Sequence, residues 1–436
     1  AAGFAGAVGP GELASTGGFD LLGLGILKIK GLLSVGAGLE VKMDGVTVSG
    51  VPAGMTVEAT GSNAGASKTN FAAAGFIASA NSAEVTDGHV KNLAHVSADM
   101  KDGAAGGFVG ISRTGDLADV SDETSIGGIL GSNPLVGVEN LVNAVGYLVP
   151  SYTNVDVSYI NGGAVEADAA GGFAGDFQSG KVENGTDSPW AVYNIAQVTG
   201  GSYAGGFGGK VTSGALADAG GGVGILGLKG IGIGVDGLAD VLGVYVPSIV
   251  RAGVKSDDST KEDTSGAQLP DPDNPGLVVE AIRMDTVGTE GENKTAAGSA
   301  GGFIGYGSGV QVSYCDVTQL RHTSVTEPKK LEGADGASYF DEAKSSYAVK
   351  APHYAGGFMG MMDIGSAASV GKSPTASVLT DLVDLTGALS ALSVVVSTVE
   401  HSHVSGGVGG FAVLASEAGL ENTQVGSGVA TPGSPK

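Results

Sequence analysis

A six-residue motif, Ala-Gly-Gly-Phe-x-Gly, occurs five times in this chain and constrains its fold more than any other feature. The copies begin at Ala105, Ala170, Ala204, Ala300 and Ala355, and looser versions surround Phe4, Phe76 and Phe411. A short motif that recurs along a whole chain indicates that one supersecondary unit is stacked many times, because each unit contacts only its neighbours. The sequence therefore predicts a repeat architecture.

The spacing of the motif phenylalanines suggests a unit of about 32 residues. Phe76 and Phe108 are 32 residues apart, and Phe173 and Phe207 are 34 apart. The step of 65 from Phe108 to Phe173 and the step of 96 from Phe207 to Phe303 are interpreted as two and three such units. The last two steps, of 55 and 53 residues, require insertions of variable length between the motif strands.

Each motif copy predicts a strand, a turn and a second strand. Paired glycines permit positive φ and close backbone approach at a corner. Alternating segments rich in Val and Tyr, namely 155–159, 192–198 and 310–314, predict further strands with one buried face. The phenylalanine is expected to stack on its equivalents in neighbouring units as an inner aromatic ladder. The predicted structural positions are Phe76, Phe108, Phe173, Phe207, Phe303, Phe358 and Phe411, with Gly107, Gly172, Gly206, Gly302 and Gly357.

A second, longer repeat lies between the motif strands. Segments 129–152 and 225–249 are related, 379–396 is a version without their Pro-Ser, and 21–48 is a more divergent fourth. Their apolar residues recur at intervals of three and four, which predicts short amphipathic helices or tight apolar loops packed over the strands. Glycine, charge or proline interrupts every apolar run before about 18 residues, so no membrane span is predicted.

Composition narrows the class of protein. The 79 glycines are not periodic, which excludes collagen, and a hydrophobic fraction of 42% is too high for a disordered chain. A net charge of −23 disfavours nucleic acid and anionic membrane surfaces as partners. The single cysteine, Cys315, cannot form an internal disulfide, and we expect it to be a small buried hydrophobe.

The predicted organisation is one repeat solenoid over residues 1–425 and a flexible tail over 426–436. At about 4.8 Å per coil, about 12 to 15 coils would make a rod roughly 60 to 75 Å long. The acidic and proline-rich segment 256–275 is expected to be a surface loop.

The chain starts without an initiator methionine or a signal segment, so a signal has been removed or the chain is a fragment. Because a motif copy begins almost at once, at Phe4, an uncapped first coil is expected, with end-to-end association or a further domain in a longer parent chain.

The Gly-Gly-Phe-x-Gly strand followed by a glycine turn resembles the glycine-rich repeats, including those called GLUG repeats, of large bacterial cell-surface and adhesin-like proteins. The motif phenylalanines, from Phe108 to Phe358, stand where those repeats usually have Leu. The resemblance covers most of the chain through its repeats. It implies a parallel β-helix of right-handed sense and a location outside the cell or on its surface. The predicted fold class is therefore all-β, a parallel β-helix with the short helical or loop insertions that the apolar spacing indicates. Attachment to a cell is implied by the likeness alone.

Residues that could carry chemistry are scattered. Asp156, Asp176, Asp316 and Asp363 lie in or beside predicted strands, as catalytic carboxylates do in β-helix lyases and hydrolases, but no Arg or Lys recurs beside them, which favours solvated strand-end acids. The segment 401–403, His-Ser-His, would put two imidazoles on one face of a strand as potential metal ligands.

Two other segments resemble ligand sites only in part. The segment 271–274, Asp-Pro-Asp-Asn, resembles the start of a calcium loop but lacks the rest of that motif. Trp190, the only tryptophan, could stack on a sugar but is expected to cap an apolar core. No catalytic residue, metal or cofactor is therefore expected.

The sequence thus predicts an extracellular structural or adhesive module of a bacterial surface protein, which binds a host surface protein, a glycan or a neighbouring protein through a solenoid face or loops. The first alternative is a passive stalk or self-assembling filament subunit. The second is a β-helix polysaccharide lyase or hydrolase. An adhesin should expose aromatic residues or loops such as those around Trp190 and residues 339–340, whereas an enzyme should gather carboxylates in one groove.

Overall fold

The structure, a computed structural model, describes residues 1–9, 41–61, 71–114, 149–213, 246–256, 260–262, 268–270, 276–283, 298–320, 330–332, 338–340, 348–363, 396–406, 412–415, 419–421 and 424–425. These residues form 35 β-strands and no helix. The three large sheets are parallel, and two small two-stranded sheets are antiparallel. The described part of the chain therefore confirms the all-β prediction.

The chain passes through the three large sheets in a fixed order, and one such passage is called a circuit. Circuit 1 contains β1 (Ala5–Val8), β2 (Val41–Asp44), β3 (Thr47–Ser49), β4 (Met55–Glu58) and β5 (Phe71–Ala74). Circuit 2 contains β6 (Ile77–Asn81), β7 (Ala83–Thr86), β8 (His89–Ser97) and β9 (Gly103–Gly106). Circuit 3 contains β10 (Val109–Arg113), β11 (Ser151–Thr153) and β12 (Asp156–Gly171). Circuit 4 contains β13 (Ala174–Gln178), β14 (Lys181–Glu183) and β15 (Trp190–Gly205).

The later circuits follow the same order. Circuit 5 contains β16 (Gly208–Thr212), β17 (Ser248–Val250), β18 (Gly253–Lys255), β19 (Thr260–Glu262), β20 (Gln268–Pro270), β21 (Val278–Ala281) and β22 (Ser299–Gly301). Circuit 6 contains β23 (Ile304–Ser308), β24 (Gln311–Ser313), β25 (Val317–Leu320), β26 (Lys330–Glu332), β27 (Ser338–Phe340), β28 (Val349–Lys350) and β29 (Tyr354–Gly356). Circuit 7 contains β30 (Met359–Asp363), β31 (Thr398–Glu400) and β32 (His403–Gly406). Circuit 8 contains β33 (Ala412–Ala415), β34 (Gly419–Glu421) and β35 (Gln424–Val425).

The first strand of every circuit belongs to sheet 1, the second to sheet 2, and the remaining strands, apart from two hairpins, to sheet 3. Each parallel pairing joins a strand to its counterpart one circuit away. The antiparallel pairs β19–β20 and β26–β27 occupy the same position in circuits 5 and 6. Each pair lies in the chain between two strands of sheet 3. The first of them lies within the segment 256–275 that was predicted to be a surface loop. The predicted strand 192–198 lies within β15, and the predicted strands 155–159 and 310–314 are confirmed over 156–159 in β12 and 311–313 in β24.

The interior is built from columns in which like residues stack on like. In sheet 3, Val157 pairs with Val192, Val192 with Val254, and Val254 with Val317, and all four side chains are fully buried. In sheet 2 the corresponding column contains Tyr152. Burial of each such side chain stabilises the folded state by roughly 1.5 to 3 kcal/mol. Strand register is therefore fixed by the hydrophobic pattern, because a slip by one residue would turn a whole column outward.

Each motif copy starts a new circuit, which corrects the interpretation of the motif spacing. Phe108 stacks directly on Phe173 with ring centroids 5.0 Å apart, and Phe207 stacks on Phe303 at 4.9 Å. The steps of 65 and 96 residues are therefore single units with insertions, and not two and three units. The described residues contain eight circuits, and the seven spacings of about 4.8 Å between them span about 34 Å, so the expected 12 to 15 coils and 60 to 75 Å were wrong.

The long insertions alternate from circuit to circuit at the corner between sheets 1 and 2. In circuits 2, 4 and 6 only one or two residues join the strands, namely Ser82, 179–180 and 309–310. In circuits 1, 3, 5 and 7 the connection has 32 to 37 residues, at 9–40, 114–150, 213–247 and 364–397. The second repeat of the sequence falls in these four connections. The predicted helices or apolar loops lie for the most part outside the described residues, as do Phe411, residues 271–274 and the tail 426–436.

The corner between sheets 2 and 3 is made by one residue in the left-handed region in most circuits. The φ angle at this corner is between 48° and 55° in five circuits, at Asp87, Asn154, Arg251, Tyr314 and His401. This conformation is unfavourable for a residue with a side chain, at about 1 kcal/mol or more, and the paired strands on either side impose it. Within the described residues no helix is long and apolar enough to cross a membrane.

Candidate functional site

The motif phenylalanines form one continuous column inside the sheets. Phe76, Phe108, Phe173, Phe207, Phe303 and Phe358 are fully buried, and successive ring centroids lie 4.6 to 5.0 Å apart. The planes of neighbouring rings differ by at most 21°, so the rings are stacked. Phe4 extends the column at 5.2 Å. The repeated phenylalanine is therefore a packing element, and it offers no surface to a ligand.

The paired glycines are required by the approach of the next circuit. A Cβ atom at Gly107 would collide with the carbonyl oxygen of Gly172, and one at Gly172 with that of Gly206. The same relation joins Gly206 to Gly302 and Gly302 to Gly357. None of these glycines needs a positive φ, so close approach and not conformational freedom explains them.

The two residues that flank the motif form a different pair of rows. The residue before each motif lies in sheet 3, and these residues are register partners in the order Ala104, Ala169, Tyr203, Ser299 and Tyr354. The residue after each motif lies in sheet 1, and these residues are register partners in the order Ile111, Asp176, Lys210, Tyr306 and Met361. Inside the motif nearly every residue is fixed, whereas the preceding position varies in size and the following position varies in both size and charge.

A cavity of about 110 Å³ lies between these two rows. Its apolar lining is Ala104, Ile111, Ala169 and Tyr203, which form a buried cluster separate from the main core. Its polar lining is Asp102, Asp168, Asp176 and Lys210. The space exists because Ala104 and Ala169 are small where the next circuit carries Tyr203. We call this space the flank cavity.

Asp168 is held in place at one side of the flank cavity. It lies at an irregularity of β12, where the register with β15 shifts between Ala167 and Ala169. The Ser202 hydroxyl donates to Asp168 Oδ1 at 2.7 Å, and Arg283 Nη1 donates to the same atom at 3.0 Å. Burial raises the pKa of Asp168, while the hydrogen bond from Ser202 and the charge of Arg283 act in the opposite direction.

Asp176 faces the cavity from the other side and lies among basic side chains. Gln178 Nε2 donates to Asp176 Oδ2 at 2.9 Å, and Arg113 Nη2 lies 3.7 Å from Oδ2. Lys210 is the register partner of Asp176 in the next circuit. The expectation that no Arg or Lys accompanies the candidate carboxylates was therefore wrong for Asp176, because residues from neighbouring circuits supply them.

Among the described residues, one atom of Asp176, which lines the flank cavity, and one atom of the neighbouring Arg113 have no hydrogen-bond partner. Asp176 Oδ1 and Arg113 Nε are buried and make no hydrogen bond with any described residue. Leaving a buried polar group unsatisfied costs about 1 to 3 kcal/mol. An acceptor and a donor in this state next to one cavity indicate a place for a water molecule or a ligand hydroxyl.

The other candidate carboxylates do not share this site. Asp156 Oδ2 lies 2.7 Å from His89 Nδ1, in sheet 3 between circuits 2 and 3. Asp316 Oδ1 lies 2.9 Å from His403 Nδ1, between circuits 6 and 7. Asp363 ends β30 in circuit 7. The four predicted carboxylates thus lie in four separate places.

The expected pair of imidazoles on one strand face is not formed. The strand begins only at His403, and His401 occupies the preceding corner with φ at 48°. The ring of His401 stacks on that of Tyr314 with centroids 4.7 Å apart, whereas His403 contacts Asp316. No group of three or more His, Cys, Asp or Glu side chains suited to a metal ion occurs within the described residues.

Trp190 packs on the protein itself. A Cβ atom at Gly253 would lie 2.8 Å from Trp190 Cε3, so the glycine makes room for the indole ring. Lys255 Nζ lies 6.0 Å from the ring centroid, within the range of a cation–π contact. Trp190 is partly buried, and this packing favours the expected structural role. Residues 339–340 lie in β27.

Cys315 is fully buried, as expected for a small apolar residue. The backbone amide of Ala252 donates to its sulfur at 3.4 Å. Burial raises the pKa of the Cys315 thiol to about 12. A buried thiol that stays protonated is a poor nucleophile.

The sequence analysis did not identify most of the residues around the flank cavity as candidate site residues. Asp168, Tyr203, Lys210 and Arg283 are far apart along the chain, and only the register of the sheets brings them together. One sequence signal could have indicated them. The residues directly before and after the motif differ from copy to copy, whereas the motif itself is nearly constant. Comparisons with models of protein families, with curated proteins and with solved structures gave no match.

Proposed function

We propose that the chain forms a single parallel β-helix over residues 1–425 and serves as an extracellular structural and adhesive module of a bacterial surface protein. The fixed order of the three sheets supports the β-helix, since each strand pairs in parallel with its counterpart one circuit away. Right-handed coiling follows from the general preference of parallel crossover connections. The surface location follows from the resemblance of the motif to bacterial surface repeats and agrees with the net charge of −23.

The β-helix can be tested by cross-linking. Glu166 pairs with Thr199, and Thr199 pairs with Glu280, so the three residues lie on successive circuits. The double variant E166C/T199C should form a disulfide on oxidation, because register partners lie within the usual Cα separation of about 4.4 to 6.8 Å. The matched pair E166C/E280C, two circuits apart, should not. Equal cross-linking of both pairs, or of neither, would contradict the proposed winding.

The observation that carries the adhesive function is the contrast between the fixed motif and its variable flanks, which meet at the flank cavity. Packing requires the motif residues, but it does not require Asp176 and Lys210 beside Tyr203. An apolar lining with a few convergent polar groups is the usual composition of a ligand site, and at about 110 Å³ this recess is smaller than the usual pocket of about 300 to 1,000 Å³. The ligand would be a glycan or protein of a host or a neighbouring cell, with no nucleic acid and no membrane insertion.

Catalysis is the less supported alternative. A polysaccharide hydrolase needs two carboxyl groups on either side of one bond. Asp168 and Asp176 both line the flank cavity, but Asp168 is bound by Ser202 and Arg283. We therefore propose a binding module that is not an enzyme and needs no cofactor.

The experiment is a binding screen of the purified chain against glycans, mucins and matrix proteins, with every bound carbohydrate analysed for cleavage. Saturable binding without cleavage is expected. Cleavage would move the lyase or hydrolase alternative to the front. Absence of binding to all probes would leave a passive stalk as the better account.

Self-assembly is a second candidate, favoured by the end of the phenylalanine column. Phe4 stacks on Phe76 on one side and remains 53% exposed. An exposed ring at the end of a column of stacked rings is a surface on which a second copy could continue the stack. Sedimentation velocity over a wide concentration range tests this, with F4S as the variant. Association that F4S abolishes would support a filament subunit, and a monomer at all concentrations would exclude it.

A further inference from the structure

The flank cavity has a chemistry that specifies its ligand more closely. We propose that it binds one unit of a neutral, polyhydroxylated glycan, an inference that rests on the adhesive function proposed above. Three features of the cavity support this ligand, namely the balance of charge, the hydrogen-bonding groups and the apolar lining.

The charges around the cavity balance, although the chain as a whole is strongly acidic. Asp102, Asp168 and Asp176 line it, and Lys210 lines it as well. Arg283 contacts Asp168 and Arg113 lies near Asp176, so three basic groups accompany three acidic ones. A site without net charge gives no electrostatic advantage to a sulphated or sialylated glycan or to a basic peptide. A neutral ligand is the one for which no like-charge contact arises.

The hydrogen-bonding groups suit hydroxyls. Carboxylates only accept hydrogen bonds, and the ammonium of Lys210 only donates them, whereas a hydroxyl does both. Asp176 Oδ1 and Arg113 Nε, which lack partners among the described residues, are such an acceptor and donor. A ligand hydroxyl, or a water that it holds, can satisfy both. A peptide segment would instead bring separate amide donors and carbonyl acceptors in a fixed spacing.

The apolar lining suits the C–H face of a sugar ring. Ala104, Ile111 and Ala169 form a floor, and the ring of Tyr203 closes one end. Tyr306, in the facing row of sheet 1, has its ring centroid 5.6 Å from that of Tyr203 and extends this aromatic surface. A volume of about 110 Å³ is smaller than a whole hexose, so the cavity would take one edge of a terminal unit and not a chain.

The structure provides a variant that fills the cavity without a new kind of packing. Tyr203 and Tyr354 already occupy the row position of Ala169 in circuits 4 and 6. A169Y should therefore fold normally and occupy the space that the ligand needs. The matched control is A72Y, since Ala72 is in the same row in circuit 1 and does not line the cavity. D176N tests the polar side, because it keeps the shape and removes the charge.

The test is titration calorimetry and a microarray with neutral oligosaccharides of galactose, mannose and N-acetylglucosamine, beside sialylated and sulphated oligosaccharides and oligolysine. At least one neutral probe should bind, with affinity reduced more than about tenfold by A169Y, about fivefold by D176N and less than about twofold by A72Y. Circular dichroism and thermal unfolding confirm that the variants are folded.

The outcomes separate this inference from the adhesive function. Neutral glycan binding that A169Y leaves unchanged would overturn the flank cavity as the site. Binding confined to acidic glycans or to oligolysine, and lost in A169Y, would overturn the neutral ligand but support adhesion through this cavity. Failure of every probe, together with failure of the mucins and matrix proteins, would overturn both proposals.

Discussion

The motif column and the rows that flank it lie side by side along the same eight circuits, yet they differ in how far each position is free to vary. Inside, Phe173 is stacked between two other phenylalanines and Gly172 lies against the backbone of the next circuit. In the row before the motif, the residue changes from Ala169 in circuit 3 to its register partner Tyr203 in circuit 4. The comparison shows that the packing of identical units fixes the interior, because every position there must match two neighbours. The flanking side chains are mostly buried as well, but each differs from its neighbours along the row, and the proposed ligand site lies among them.

The largest expected effect separates the two regions directly. F173A removes a ring from the middle of the column and should lower the free energy of unfolding by about 4 kcal/mol, as for other buried aromatic residues cut to alanine. A169Y, four residues earlier in the chain, should change it by less than about 1 kcal/mol. Chemical denaturation measures both, with F4A as the exposed control. If A169Y lowered the free energy of unfolding more than F173A, the flanking row and not the phenylalanine column would be the region fixed by packing.

The second prediction concerns the paired glycines. G172A should destabilise the protein by about 3 kcal/mol or more, because the added methyl group meets backbone and not a movable side chain. G6A is the matched control, since a Cβ atom at Gly6 would have no neighbour within 4 Å. Thermal unfolding of both variants measures the difference. A neutral G172A would mean that adjacent circuits separate more easily than their contacts suggest.

A smaller effect is expected where a polar group supports the column. The buried hydroxyl of Tyr159 donates to the carbonyl oxygen of Gly172 at 2.8 Å, and burial raises the pKa of Tyr159 well above its usual value. Y159F should cost about 1 to 2 kcal/mol, because the carbonyl loses a buried partner. Denaturant unfolding tests this, and Y193F serves as control, because the Tyr193 hydroxyl bonds to Ser188 at an exposed position.

The smallest expected effect is on the protonation of Asp168. Its pKa is raised above the ordinary value of 3.8, so the folded state holds the proton more tightly than the unfolded state does. The stability that this carboxyl contributes is therefore present below pH 3.8 and is lost as the pH rises through its folded pKa. R283M should raise the pKa further, since the charge of Arg283 lowers it. Carbon-13 NMR of the carboxyl groups follows the titration, and a lower pKa in R283M would contradict the assignment.

Prediction from the sequence succeeded where the signal was local and repeated. The strands of 155–159 and 192–198 follow from alternation, and the burial of Cys315 follows from its small apolar side chain. The strand expected at Cys315 was wrong, because this residue lies between β24 and β25. The number of circuits was overestimated because residues in long insertions were counted as further units. Spacing along the chain cannot tell an insertion from a unit, whereas direct stacking of Phe207 on Phe303 does.

The candidate site was hardly predictable. Asp176 was noticed as a carboxylate beside a motif, but its partners Arg113 and Lys210 belong to the circuits on either side. Asp168 depends on Arg283, which is 115 residues away. The expected imidazole pair failed for a similar reason, because the corner at His401 turns its side chain toward Tyr314.

The sequence by itself determined the strands, the repeat and the positions that must stay fixed, since these depend on local alternation and on a motif that each circuit repeats. Only the tertiary structure decided which circuits are neighbours, where the alternating insertions leave the stack and which flanking residues share a cavity. The physical reason is the parallel register, in which contacts join residues one whole circuit apart. The length of each circuit varies, so sequence distance does not reveal those contacts.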